Sequence, residues 1–150
     1  DLFSLVASIE TVSVKRATSV EDQKRLVEVQ SLRALSEEME EAISTGQSDR
    51  DRFRTHNEEF HLVIMRVGAG NRLRAQHSML YPQTERYVNS YGTLGRLPLN
   101  DLLAEYLRVI KAINAGDPNT AKEAIAAYWE QVQSQLLQDI REVGARGDWP

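Results

Sequence analysis

The stretch "EYLRVIKAINAGDPNTAKEAIAAYW", Glu105 to Trp129, decides the fold. Together with the leucines just before it, its first half sets Leu102, Leu103, Tyr106, Ile110 and Ile113 on one face at the helical period. Its second half continues the pattern with Ile125 and Tyr128, followed by Val132 and Leu136. Between the halves, Gly116 ends one helix, Asp117 caps the next and Pro118 takes the first helical position, where its missing N–H costs nothing. The turn therefore predicts an antiparallel helical hairpin. Residues equally distant from Asp117 then lie at the same height, and Tyr106 and Tyr128 are each 11 positions from it. Both phenols point inward and should be neighbours, each needing a hydrogen-bond partner.

Working outward, the eight glycines at 46, 68, 70, 92, 95, 116, 144 and 147 divide the rest into long glycine-free blocks with helical period. A first helix over Leu2–Ala17 carries apolar residues at 2, 5, 6, 9 and 12. In "TSVED", Thr18 with Glu21 or Ser19 with Asp22 is expected to cap a second helix, which runs to about Ile43 and stops at Gly46. A third, from about Asp49 to Val67, aligns Phe53, Phe60, Ile64 and Val67. A fourth opens near Asn71 and carries Pro82 well inside it, which predicts a kink or break. "GTLGRLP" reads as a loop, Leu99–Ala115 as the fifth helix, and the sixth extends to about Val143. No strand pattern or internal repeat competes. The fold class is all-α, an antiparallel bundle of about six helices forming a single domain over residues 1–150.

Composition narrows the functions. With 41% hydrophobic residues in 150, the chain can bury a core of its own. A formal charge of −4 argues against a surface built to neutralise phosphates, and the arginines at 50, 52 and 54 are interleaved with Asp49 and Asp51. Cysteine is absent, which removes disulfides, thiolate metal sites and thiol nucleophiles together. No apolar run approaches the roughly 20 residues of a membrane span, and the start lacks a signal-peptide layout, so a cytoplasmic location is expected. The chain opens at Asp1 rather than Met and reads as a piece of a longer protein.

The stretch "HNEEFHLVIMRVGAGNRL", His56 to Leu73, puts Asn57 and His61 one turn apart beside the Phe53/Phe60/Ile64 stripe. Either they form a core edge bonded to neighbours, or they wall a site with Tyr106 and Tyr128. Glu58 and His61 make a Glu-x-x-His unit, but di-iron bundles need two such units, and neither His56 nor His77 has a Glu three residues before it. No nucleophile elbow, phosphate loop, zinc-protease or dinucleotide motif is present, and the glycines at 68 and 70 end a helix rather than cradle phosphate. The chain is not expected to be an enzyme.

"NEEFH...AGNRL", "LYPQTERY" and "EYLRVIKAINAGDPNTAKEAIAAYW", in this order and spacing, resemble the FCD domain, the carboxy-terminal effector and dimerisation domain of FadR-type GntR transcription regulators. "DLFSLVASIETVSVKRATSVEDQKRL" is similar to that domain's opening helices. The family's usual pattern is Asp-x-x-Phe-His plus two later histidines around a divalent metal, often with a small organic acid. Carried over, the Asp position is Asn57, the first His is His61, and the later two are Tyr106 and Tyr128, whose 22-residue separation matches the family. A neutral amide and protonated phenols are poor ligands, so no transition metal is expected and no cofactor is assigned. The FadR branch itself resembles a metal-free version that binds a fatty acyl thioester, but no acyl-specific motif stands here.

The resemblance implies a homodimeric effector sensor that contacts DNA only through a winged-helix domain lying before Asp1, with no membrane partner. The expected ligand site is Asn57, His61, Tyr106 and Tyr128, suited to a neutral or weakly polar small molecule. The alternative is a purely structural dimerisation domain whose pocket has closed over with tyrosine. Exposed apolar residues on the first and fourth helices are the expected dimer surface.

Overall fold

Asp117 and Pro118 act as their positions predict. The Asp117 carboxylate accepts from the Asn119 and Thr120 amides, both at 3.1 Å, and from the Thr120 hydroxyl at 2.6 Å. On the other side of the turn, Gly116 stands at φ 68°, and the Gly116 and Asp117 amides return to Ile113 and Ala112. That left-handed position closes a helix with the least strain when its residue is glycine.

The computed structural model describes residues 1–45, 50–91 and 96–146. In chain order it contains α1 (Leu2–Ala17), α2 (Asp22–Ser44), α3 (Arg50–Gly68), α4 (Asn71–Ser90), α5 (Leu99–Ala115) and α6 (Pro118–Arg146). The all-α bundle expected from the sequence is what forms. Hairpin α5/α6 packs along its length, α1 lies against α6, α3 and α4, and α2 closes the other side against α3 and α5. Among the described residues, no helix is long and apolar enough to cross a membrane.

Three expectations need correction. The capping pairs in "TSVED" do not form: Glu21 occupies the cap position of α2 without a side-chain bond, and the Thr18 hydroxyl turns back to the Lys15 carbonyl at 2.7 Å. Of the kink or break expected at Pro82, the break does not occur: α4 runs through it as one helix. Proline withholds one N–H, and packing of Tyr81, Thr84 and Val88 into the core holds the helix across that gap. The buried face of α1 is Phe3, Val6, Glu10, Ser13, Val14 and Ala17, while Leu5 and Val12 stay exposed. Two polar residues on the inner face hid its period. Gly46, Asp49 and most of "GTLGRLP" lie outside the described residues.

One contact fixes how closely α1 and α3 approach. A Cβ on Gly68 would stand 1.8 Å from the Ser13 carbonyl oxygen, so the two backbones meet where only glycine fits. That seam brings α1 near enough to α3 for a side chain of one to reach the buried face of the other.

Candidate ligand site

Asn57 and His61 enter the interior from α3, and Tyr106 and Tyr128 enter from the hairpin. The phenol rings stack with centroids 4.7 Å apart, as equal spacing from Asp117 requires, and Phe60 stacks on Tyr106 at 4.0 Å. Tyr106 O–H donates to Asn57 Oδ1 at 2.6 Å, Tyr128 O–H donates to the same oxygen at 3.0 Å, and Tyr106 Oη lies 2.7 Å from His61 Nε2. All four residues expected at the site are buried and brought together. Glu58, by contrast, is exposed and forms no hydrogen bond with the cluster.

Sequence reasoning misses the other half of the network. Glu10 of α1 is 0% exposed. Its Oε2 is 2.7 Å from His61 Nδ1 and accepts from Trp129 Nε1–H at 2.7 Å, while its Oε1 is 2.7 Å from His77 Nε2. Burial pushes this carboxyl up, but the charge and hydrogen bond of His61 and the bond from His77 outweigh it and hold the group at about 2. Tyr81 of α4 packs its ring on His77 and accepts a long bond from Asn57 Nδ2 at 3.4 Å. The network thus ties α1, α3, α4, α5 and α6 together through side chains alone. The only signal available in sequence was an acidic residue three to four positions from apolar ones on α1.

A cavity of about 20 Å³ lies beside this network, with room for a water molecule and little more. Buried Asn57 and Tyr128 form its inner end, Phe53 and Val88 are among its apolar walls, and the partly exposed Arg54 and Glu85 stand at its edge. Burial pushes the Glu85 carboxyl up from its ordinary value, partly countered by His61 and the neighbouring Tyr81 hydroxyl.

The model of the FCD domain family matches residues 1–131. The chain belongs to the FCD domain family. FCD domains are the carboxy-terminal effector-binding domains of GntR-family transcription regulators, which in general are not enzymes. No curated protein and no solved structure matches the chain. The matched segment includes every residue of the network, from Glu10 to Trp129.

In this FCD domain the positions that would ligate a metal do not fit one. Burial pushes both the Tyr106 and Tyr128 phenols up, so they keep their protons, and Asn57 supplies only a neutral amide. Asn57 Oδ1 and His61 Nε2 are already engaged with the phenols. Glu10, His61 and His77 do not replace them, because the imidazoles sit on opposite oxygens of the carboxylate rather than converging on a shared point.

Proposed function

We propose that this FCD domain is the effector-sensing and dimerisation module of a cytoplasmic GntR-type regulator of the FadR subfamily. It takes a small metabolite, without a metal, at Asn57, His61, Tyr106 and Tyr128, and so modulates DNA binding by another part of the regulator. The observation that carries the reading is the pairing of a buried polar cluster, at the bundle's centre, with a cavity that reaches it from the edge. A ligand entering there exchanges its own hydrogen bonds for those between Asn57 and the phenols, and shifts the domain by its differential affinity for the two arrangements. The dimer forms through exposed apolar residues of α1 and α4, among them Leu5, Val12, Met79 and Tyr87.

A second reading has its own observation. The four residues satisfy one another and the cavity is small, as in a closed scaffold that senses nothing. A native mass spectrum of the untagged protein separates the two. The sensor reading expects a dimer carrying extra small-molecule mass and no metal. Thermal unfolding then checks the retained compound, since a ligand present at 100 times its Kd adds about 2.7 kcal/mol to a state it alone binds. A bare dimer that no metabolite stabilises would leave the scaffold, and stoichiometric zinc or nickel would overturn the metal-free site.

A further inference from the structure

Arg54 of α3 and Glu85 of α4 line the same cavity, yet no ion pair joins them. Arg54 reaches only the exposed Asp51, at 3.8 Å, the outer edge of a salt bridge. Glu85 has the Tyr81 hydroxyl beside it and feels the charges of His61 and Arg54, but forms an ion pair with neither, although it is partly buried. A guanidinium and a carboxylate on residues lining one small cavity, joined by no ion pair, leave donors and acceptors within reach of whatever enters.

The neighbouring groups are engaged. The Thr84 hydroxyl donates to the Tyr81 carbonyl at 2.7 Å, and the oxygen of Asn57 accepts from both phenols. Asn57 Nδ2 has one N–H on Tyr81 and a second that no protein group takes. The unengaged capacity is thus cationic donor on one side, anionic acceptor on the other, and one amide N–H at the inner end. Resting on the effector-sensing reading above, we infer that this cavity is a zwitterion subsite, where Glu85 takes an ammonium group and Arg54 a carboxylate, and that the effector is a small amino acid.

Neither charged residue alone suits a simpler compound. A plain carboxylic acid on Arg54 would lie against the Glu85 carboxylate with nothing between, and a plain amine would leave Arg54 facing a second cation. The zwitterion neutralises both and adds no net charge. Its carbon chain would reach Phe53 and Val88 only once the edge residues swing aside, which limits it to a short aliphatic side chain. Since the cavity is small as it stands, the charged ends seat at the edge, where Arg54 and Glu85 have room to change rotamer.

The test is thermal unfolding and calorimetric titration of the protein with glycine, L-alanine, L-valine, propionate and ethylamine at one ionic strength. At least one of the amino acids should raise the Tm while propionate and ethylamine do not. Arg54→Gln and Glu85→Gln should each weaken that binding about tenfold or more while unfolding like the parent without ligand. If Glu85→Gln does not fold, Glu85→Asp, which keeps the charge and shortens its reach, should show the same weakening. Binding of propionate or ethylamine as strong as that of L-alanine would overturn the zwitterion and keep the sensor. So would a retained compound of another class in the native mass spectrum, or an amino acid whose affinity both variants leave unchanged. No response to any of these compounds would remove the inference, and the sensor falls with it only if no metabolite of any class stabilises the domain.

Discussion

Glu10 inside the bundle and Glu85 at its edge are both carboxylates, and they shift in opposite directions. Glu10 is the more deeply buried, yet its carboxyl is held down to about 2, whereas the partly exposed Glu85 is pushed up. Burial alone would order them the other way. The difference lies in what touches each carboxylate: His61, His77 and Trp129 all bond Glu10, while Glu85 has one phenol beside it and feels His61 and Arg54 only at a distance, without an ion pair. A buried charge with its donors in place is part of the fold, and one without them is a charge waiting for a partner.

Glu10→Ala removes the acceptor of three buried nitrogens and should cost about 3–5 kcal/mol in urea unfolding. A loss below about 1 kcal/mol would mean that the cluster rearranges freely. Acid tests the same group without mutation. Its folded-state value of about 2 lies below the ordinary 4.5, so its contribution is complete above pH 4.5 and is lost as pH falls toward 2. That loss should be on the order of 3 kcal/mol, and Glu10→Ala should abolish this part of the acid sensitivity. Tyr106→Phe lies between the two carboxylates. It removes the hydroxyl bonded to Asn57 and facing His61, and should cost about 1–2 kcal/mol by the same assay. The smallest effect belongs to Glu85→Gln, which takes away a charge that no ion pair neutralises. Without ligand it should leave stability within about 0.5 kcal/mol of the parent or raise it slightly, and a large loss would show that Glu85 is structural after all.

The same contrast explains what the sequence disclosed. Periodicity and the Gly116-Asp117-Pro118 turn placed α5 within its observed bounds and put Tyr106 beside Tyr128, because helix spacing and a tight turn are local and geometric. Asn57 and His61 were legible for the same reason, flanked by Phe53, Phe60 and Ile64. Glu10 was not. A lone acid inside an amphipathic helix is indistinguishable from a solvated one until the helices carrying His61, His77 and Trp129 are docked on it, and those partners lie 51 to 119 positions away. Arg54 and Glu85 were hidden differently. Each looks like an ordinary surface charge, and only the shared cavity relates them. Pro82 shows the converse error, a strong local signal overridden by tertiary packing.

The close seam at Gly68 governs which mutations the domain survives. Since even one methyl group there would overlap the Ser13 carbonyl, substitutions at 68 should push α1 away from α3 and pull Glu10 off His61. In a survey of all single variants scored by regulator activity, position 68 should tolerate as few replacements as any residue that touches the effector. A geneticist reading that survey would assign a binding role to a glycine whose whole contribution is to occupy no space.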